Sequence, residues 1–264
     1  MQYGEDPLQR VVVYSSSSPK WVVFVHGGAW RDPSNDHSDG EKLLKALASN
    51  NDVSTASIDY RLSPKVQHPE HIKDVLTALS ALYCTFKMEQ MVLVGHSAGT
   101  FLALQSVIPQ FYREYGDDNA ERAVNACNAI FCVEGIYDLK TLLLVYPSYS
   151  DFVHQAFGTD EDRYDQFSPA SGLYTVDNSK QLFIVHSPQD ELLDYSQPSV
   201  GVRQLHNTNI TTVEIPGTHN EAYSQPGLEQ AITSYLNGHP AANGPAIDFY
   251  KQVYHDLVAK YGLQ

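Results

Sequence analysis

Six largely apolar runs recur along the chain, and turn-forming residues bound each of them. Uninterrupted apolar runs of this length are typical of strands buried on both faces of a sheet. The predicted strands lie at residues 21–25, 53–58, 91–94, 129–133, 182–185 and 211–215. A shorter run at residues 11–14 predicts an additional outer strand.

Between these runs, apolar residues recur at the three- and four-residue spacing of amphipathic helices. In the segment 70–82, for example, Ile72, Val75, Leu76 and Leu79 form one stripe. The predicted helices cover residues 40–49, 70–82, 99–108, 197–206 and 228–236. Strands that alternate with helices predict an α/β fold with a mostly parallel central sheet and helices on both faces.

Two segments interrupt the alternation. Residues 111–124 are polar and acidic, whereas residues 138–174 are rich in aromatic side chains and contain Pro147 and Pro169. Insertions of this kind often form lids or binding walls, so we expect a short lid insertion here.

The carboxyl-terminal part of the sequence suggests one more helix. Residues 237–245 indicate a linker, and residues 246–261 predict an amphipathic helix beyond it. We expect this helix to pack on the domain or on a second subunit, so a homodimer is one expectation. The length favours a single domain over residues 1–264.

Composition excludes several classes of partner. The 264 residues include 17 Lys and Arg against 31 Asp and Glu, for a net charge of −14. Such a chain repels phosphate backbones and anionic lipids, which argues against nucleic-acid and membrane partners. No apolar stretch reaches the roughly 18 residues of a membrane span. No secretory signal is visible at the start of the sequence.

The cysteines and histidines point to no disulfide framework and no metal. Cys84, Cys127 and Cys132 are odd in number and share no CxxC spacing, so we expect reduced, buried thiols. The expected location is therefore the cytoplasm, with the nucleus as a second location. Histidines do not cluster with cysteines or carboxylates at ligand spacing, so we expect no metal site and no cofactor.

The strongest chemical signal is a glycine-bracketed serine at residues 95–99, GHSAG, between a predicted strand and a predicted helix. A serine at a sharp strand-to-helix turn sits in strained backbone and projects its hydroxyl above the sheet. Gly95 and Gly99 keep side chains out of that turn. We therefore expect Ser97 to be a nucleophile.

A second signal, HGGAW at residues 26–30, follows an earlier buried strand. Acyl transfer needs donors aimed at the oxygen on which negative charge develops. The amides of Gly27 and Gly28 can approach such an oxygen because no Cβ blocks them. The amide of Ala98, at a helix start, is the third expected donor of this oxyanion hole.

A serine nucleophile needs a base and a carboxylate that orients the base. Asp190 follows the strand 182–185, and His219 follows the next strand, which is the chain order expected for this arrangement. Glu191 and Asp194 are the competing carboxylates, but both lie further into the turn. His26, His96 and His186 each end a strand, and we expect them to be structural hydrogen-bonding residues.

The segments 26–30, 59–64 (DYRLSP) and 95–99 resemble the α/β-hydrolase superfamily, on its hormone-sensitive-lipase-like esterase branch. The HGGxW form and residues 134–139 (EGIYDL) are similar to fungal kynurenine formamidases. That resemblance implies the α/β-hydrolase fold, with Ser97 as nucleophile, Asp190 as orienting acid and His219 as base. It implies hydrolysis of N-formyl-L-kynurenine to L-kynurenine and formate, in tryptophan degradation. Ala29 departs from the third glycine of many lipases.

A formyl group needs almost no acyl pocket, so aromatic residues should surround the leaving aryl amine. Trp30 and Tyr137 are the first candidates for this substrate pocket, with Tyr146, Tyr149 and Phe152 as further ones. Two other functions stay open at this point. One is a broad-specificity carboxylesterase of the same branch, and the other is a non-catalytic binding protein that uses the fold.

Overall fold

In the computed structural model, which describes residues 1–239 and 243–262, seven strands form one sheet. Their spatial order is β1-β3-β2-β4-β5-β6-β7, and only β1 runs antiparallel to its neighbour β3. The strands are β1 Val11–Ser15, β2 Lys20–Val25, β3 Ser54–Ile58, β4 Gln90–His96, β5 Cys127–Val133, β6 Gln181–His186 and β7 Ile210–Glu214. Every strand expected from the apolar runs is present, including the outer one.

Eleven α-helices accompany the sheet within the described residues. Their bounds are α1 Glu41–Asn50, α2 Glu70–Thr85, α3 Ala98–Val107, α4 Pro109–Tyr115, α5 Asp118–Asn125, α6 Leu139–Val145, α7 Ser150–Phe157, α8 Tyr164–Phe167, α9 Ser196–Gln204, α10 Pro226–Leu236 and α11 Ile247–Tyr261. No helix of the described residues has both the length and the apolar character that crossing a bilayer requires.

Alternate side chains of the central strands enter two separate cores. On β2, Val23 and Val25 belong to the core that α2 and α3 cover, whereas Val22 and Phe24 belong to the core that α1 and α10 cover. Both faces of the sheet are therefore buried, which explains why its strands are apolar at consecutive positions.

The segment 111–124 is not a lid, which corrects the expectation for it. It forms most of α4 and α5, which lie in the helical layer beside α2. Ala120, Ala123 and Val124 are buried, and Ser80 Oγ of α2 donates a hydrogen bond to Asp117 Oδ2 at 2.9 Å. The acidic residues that suggested an insertion occupy the outer face of an ordinary amphipathic helix.

The terminal helix α11 packs on α9 of the same chain. Tyr250 is fully buried, and Gln204 Nε2 donates a hydrogen bond to Tyr254 Oη at 2.5 Å. Of the expected linker 237–245, residues 240–242 lie outside the described part of the chain. The amide of Gly244 donates to the carbonyl of Thr212 on β7 at 3.2 Å. The apolar face of α11 is thus used within the chain.

All three cysteines are free thiols. Cys127 and Cys132 are buried as expected, and burial raises the pKa of both thiols. Cys84 is exposed near the end of α2, which corrects the expectation that it is a core residue. Its position on the helix places it outside the stripe formed by Val75, Leu79 and Leu82.

Candidate active site

Ser97 occupies the single residue between β4 and α3, where the motif predicted a sharp turn. Its φ of 52° and ψ of −119° place it in the region that L residues rarely adopt. A Cβ at Gly95 would lie 2.6 Å from the carbonyl oxygen of Gly99, and one at Gly99 would collide with the carbonyl oxygen of Val25. Only glycine fits at either position, so the two glycines permit the strained turn that presents the serine.

The backbone after β2 forms the facing side of this turn. Gly28, Ala29 and Trp30 are three successive residues with positive φ, at 87°, 50° and 57°. Tyr60 Oη donates to the carbonyls of His26 and Gly27 at 3.1 Å each, and these contacts hold the start of the loop in place. This unusual run of left-handed residues is held in place by buried contacts.

The loop that carries two of the expected oxyanion donors lies beside the turn that carries the third. A Cβ at Gly27 would lie 2.7 Å from His96 Nδ1, so the loop lies directly against the turn that carries Ser97. Ala98 is the first residue of α3, where backbone amides have no partner within the helix. Within the described residues, the amides of Gly28 and Ala98 donate to no other group. Both can bind a negatively charged oxygen.

Asp190 and His219 form a hydrogen-bonded pair, with Asp190 Oδ2 2.8 Å from His219 Nδ1. Asp190 Oδ1 accepts hydrogen bonds from the amides of Leu192 and Leu193 at 2.8 and 2.9 Å. Burial raises the pKa of Asp190, but the hydrogen bonds with His219 and with the amide of Leu193, together with other neighbouring groups, outweigh it and bring the pKa to about 2. Asp190 is therefore an ionised carboxylate that fixes the orientation of the imidazole.

Two further contacts hold the backbone of His219. Its amide donates to Glu191 Oε2 at 3.0 Å, and its carbonyl lies 3.0 Å from His96 Nε2. Burial lowers the pKa of His96 to about 3, so this imidazole is neutral and serves as a structural donor. The competing carboxylate Asp194 instead accepts the amide of Ser196 at the start of α9. Geometry thus separates Asp190 from both competitors.

Ser97 and His219 line one cavity of about 250 Å³. No hydrogen bond joins Ser97 Oγ to the imidazole in the described structure, and such contacts are often long before substrate binds. The lining residues are Gly28, Ala29, Arg31, Asp32, Asn35, Ser97, Ile136, Tyr149, Phe152, Leu192, Leu193, His219 and Asn220. The cavity has an aromatic wall, formed by Tyr149 and Phe152, and a polar rim.

Trp30 and Tyr137 do not line this cavity, which corrects their assignment to the substrate pocket. Both side chains are fully buried. Trp30 packs edge to face on Phe101 and Phe157, with ring centroids 5.3 and 4.8 Å apart. Tyr137 lies against Gly201, where a Cβ would come within 2.5 Å of the ring. Both residues lie next to the cavity in sequence, but the positive φ of Trp30 and the packing of Tyr137 against α9 turn the two rings into the core.

Of the remaining aromatic candidates, Tyr149 and Phe152 line the cavity and Tyr146 lies behind them. Tyr146 stacks on Tyr149 at 5.0 Å, and its hydroxyl accepts the amide of Asp194 at 2.7 Å. The segment 138–174 therefore contributes one wall of the cavity, through α7 and the turn before it.

Sequence reasoning missed the cationic side of the cavity. Arg31 is ion-paired with Asp151 of α7, and its guanidinium lies 5.7 Å from the centroid of the Phe152 ring. Asp151 is well exposed, at 71% of its side chain. The available signal was the position of Arg31 directly after HGGAW, at the end of the loop expected to carry oxyanion donors.

Glu134, Asp190 and His219 are the residues that could hold a metal ion. Each offers one ligand atom, and these atoms lie within 4.8 Å of one another. Metal binding here would take Asp190 away from His219, because both residues already share a hydrogen bond. The donor set therefore serves an acid–base pair better than a metal, and the absence of a metal stays a prediction.

Comparison with known proteins was made by sequence and by structure. The BD-FAE family model matches residues 13–205. A kynurenine formamidase of Meyerozyma guilliermondii is 34% identical over 249 residues, which cover 89% of this chain and 92% of that protein. A kynurenine formamidase of Saccharomyces cerevisiae is 29% identical, over 79% of this chain and 85% of that protein.

Two solved structures share the fold. A putative thioesterase from Silicibacter sp. has a TM-score of 0.71 and 20% identity, over 88% of this chain and 84% of that one. An inhibited esterase B from Lactobacillus rhamnosis has a TM-score of 0.73 and 17% identity, over 98% of this chain and 87% of that one. The fold is that of the α/β-hydrolases, as the motifs implied.

Proposed function

The chain belongs to the BD-FAE family and, within it, to the kynurenine formamidases. From this premise we propose that Ser97, Asp190 and His219 carry out the hydrolysis of N-formyl-L-kynurenine to L-kynurenine and formate. The observation that carries the proposal is the Asp190–His219 pair, which shares one cavity with the strained Ser97. The substrate is a small molecule, and the chemistry is hydrolysis of a linear amide.

The reaction follows the acyl-transfer scheme of serine hydrolases. His219 takes the proton of Ser97 Oγ as this oxygen attacks the formyl carbon. The formyl oxygen becomes negative and accepts hydrogen bonds from the amides of Gly27, Gly28 and Ala98. His219 then protonates the aryl nitrogen, and the C–N bond breaks to release L-kynurenine.

Water completes the cycle by cleaving the formyl ester on Ser97. His219 removes a proton from the water, the new bond to the formyl carbon forms, and the proton returns to Ser97 as formate leaves. Asp190 stays ionised throughout, since its pKa of about 2 lies well below neutral pH. Its negative charge stabilises the imidazolium form of His219 in both halves of the reaction.

The shape of the cavity suits a small acyl group and an aromatic leaving group. Tyr149 and Phe152 offer ring faces to the aryl amine. Arg31 lines the same cavity and forms an ion pair with the exposed Asp151. We assign Arg31 to the α-carboxylate of the substrate, because a guanidinium binds a carboxylate through two parallel hydrogen bonds.

The decisive test of the nucleophile is Ser97→Ala. We expect kcat on N-formyl-L-kynurenine to fall on the order of 10⁶-fold, as in other serine triads. Circular dichroism and thermal unfolding of the variant establish that it is folded. If the variant kept more than a small fraction of wild-type turnover, the assignment of Ser97 would be wrong.

Labelling with a fluorophosphonate probe distinguishes the enzyme from a non-catalytic binding protein. A reactive serine in an intact oxyanion hole attacks phosphorus and forms a covalent adduct. We expect wild-type protein to be labelled on Ser97 and Ser97→Ala not to be labelled. If folded wild-type protein were not labelled, the hypothesis of a non-catalytic binding protein would be favoured.

For cell location and assembly, we keep the cytoplasm and a homodimer as proposals. Three free cysteines, one of them exposed, fit a reducing compartment. Fractionation of cells that express a tagged chain tests the location. Light scattering of the purified protein tests the assembly state.

A further inference from the structure

One buried acid behind the candidate triad has no role in the reaction above. Glu134 follows β5 directly, has a φ of 44° and is fully buried. It begins the segment EGIYDL, whose other residues are part of the core and of α6. Its Oε1 accepts the amide of Ser187 at 2.8 Å, and its Oε2 lies 2.6 Å from His186 Nδ1.

Glu134 also lies beside Asp190. Ligand atoms of Glu134, Asp190 and His219 are all within 4.8 Å of one another. In a buried place, each of two carboxyl groups at this separation disfavours the ionised form of the other, so we expect one of them to hold a proton. The hydrogen bonds around each carboxyl group decide which one this is.

Asp190 has the larger set of donors. Its two oxygens accept hydrogen bonds from His219 Nδ1 and from the amides of Leu192 and Leu193. Glu134 accepts one backbone amide, and its Oε2, although close to His186 Nδ1, forms no hydrogen bond with that nitrogen. Hydrogen bonds to the charged form favour ionisation, and burial without them disfavours it. Asp190 is therefore the ionised partner, and Glu134 carries the proton.

We propose that Glu134 is a neutral carboxylic acid that donates its proton in a hydrogen bond to Asp190 and so holds Asp190 ionised and aligned with His219. Glu134 is a positioning residue, because it acts on the reaction only through Asp190. The inference rests on the proposed function of the triad. It assigns a task to the EGIYDL segment that the reaction scheme leaves unexplained.

Electrostatics around the acid agree with this arrangement. Burial and the neighbouring Asp190 raise the pKa of Glu134 to about 11. Burial lowers the pKa of His186 to about 4, so His186 is neutral and does not form an ion pair with Glu134. The titratable groups that face Glu134 are His186, Asp190, Glu191, His219, Tyr137, Tyr195 and Tyr250.

Infrared spectroscopy tests the protonation state without any assay of activity. We expect the difference spectrum of wild type minus Glu134→Gln at neutral pH to show the C=O stretch of a protonated carboxylic acid. The paired stretches of a carboxylate in its place would overturn the proposal. Both proteins are used as the full chain.

Two substitutions of similar size then test the hydrogen bond to Asp190. The amide of Glu134→Gln still donates, so we expect kcat to stay within about threefold of wild type. Glu134→Leu cannot donate, so we expect kcat to fall roughly 10-fold or more with KM nearly unchanged. The limb of its pH–rate profile at which Asp190 takes up a proton should move to higher pH, because Asp190 loses a donor that stabilises its charge.

Asp138→Asn is the matched control. Asp138 is another buried carboxyl with a pKa raised by burial, but it accepts the amide of Thr141 at the start of α6. We expect this variant to keep its thermal stability, because an asparagine oxygen can still accept that amide, and to show no shift of the pH–rate profile. A folded Glu134→Leu with wild-type kcat and profile would overturn the proposal, as would an equal loss in Glu134→Gln and Glu134→Leu.

The two possible failures can be told apart. If Glu134→Leu does not fold, the infrared spectrum and the Glu134→Gln rate still decide the question. An active Ser97→Ala would overturn the proposed function and leave the infrared result standing. An inactive Ser97→Ala together with a carboxylate at Glu134 would overturn only the inference on Glu134.

Discussion

The two sides of the cavity are built by different means. On one side, backbone geometry places Ser97 and the expected oxyanion donors: a positive φ at the serine, and glycines at 95 and 99 that no other residue can replace. On the other side, side-chain packing places the aromatic wall. Tyr149 packs against Phe152 in a tilted arrangement, with ring centroids 5.1 Å apart, and stacks on Tyr146.

This difference separates reaction chemistry from substrate choice. The backbone side depends on two short segments, residues 26–30 and 95–99, and a change there affects every substrate of the enzyme. The wall depends on contacts between α7 and distant parts of the chain, such as Arg31 with Asp151. A change in the wall should affect only substrates large enough to reach it.

The largest expected effect beyond the nucleophile is on the side that carries the chemistry. Asp190→Asn keeps the shape but removes the charge that orients His219, so we expect kcat to fall about 10⁴-fold for every substrate. Steady-state kinetics on N-formyl-L-kynurenine and on p-nitrophenyl acetate measure this loss.

Asp194→Asn provides the matched control for that loss. Asp194 lies four residues away and accepts the amide of Ser196 at the start of α9. We expect this variant to keep both its stability and its kcat, because an asparagine oxygen can still accept that amide. Equal kcat values for the two variants would contradict the assignment of Asp190.

The aromatic wall should show a smaller and selective effect. Phe152→Leu removes a ring face from the cavity, and we expect kcat/KM on N-formyl-L-kynurenine to fall roughly 10-fold. Turnover of p-nitrophenyl acetate should change little, because its p-nitrophenolate leaving group is smaller than L-kynurenine. Kinetics with both substrates measure the ratio.

Phe157→Leu, on the same helix, is the control for the wall. Phe157 is buried against Trp30 and Phe101 and does not line the cavity. We expect a loss of about 1–2 kcal/mol in the free energy of unfolding and no change in the substrate ratio. If Phe157→Leu altered the ratio as much as Phe152→Leu, the wall would not be the selective element.

The smallest expected effect concerns the rim. Arg31→Gln removes the cation assigned to the α-carboxylate, and we expect KM for N-formyl-L-kynurenine to rise roughly fivefold with kcat unchanged, since exposed ion pairs are weak. Formanilide, which has no carboxylate, serves as the comparison substrate. An equal rise in KM for both substrates would contradict the assignment of Arg31 to the α-carboxylate.

The substrate's ammonium group offers a second prediction at this rim. The chain carries a net charge of −14, and Asp32 lines the cavity beside Arg31, so this carboxylate should attract the α-ammonium and added salt should weaken that attraction. We expect KM for N-formyl-L-kynurenine to rise with ionic strength. A KM that does not depend on salt, and that does not change in Asp32→Asn, would contradict this idea.

The same contrast explains what could be predicted from the sequence. The strands, the strained turn at Ser97 and the order of Asp190 and His219 follow from local patterns, because buried parallel strands and glycine-bound turns leave few alternatives. Trp30 and Tyr137 were assigned to the pocket on position alone. Their orientation depends on Phe101, Phe157 and Gly201, which are distant in sequence and meet them only in the folded core.

The acidic segment 111–124 shows a related limit. Its charges suggested an insertion, but the buried Ala120, Ala123 and Val124 follow the spacing of a packed helix. Small apolar residues give a weak hydrophobic signal, so the acidic side of α5 dominated the pattern. Glu134 is the opposite case, since its motif was visible but its burial beside Asp190 was not.

The central claim is that this cavity hydrolyses an aryl formamide. It is tested most directly by kcat/KM of the wild-type protein on N-formyl-L-kynurenine, measured beside p-nitrophenyl acetate under the same conditions. We predict that the formamide is the much better substrate, and that both activities disappear in Ser97→Ala. Efficient turnover of the ester with little or none of the formamide would contradict the account and favour a broad carboxylesterase.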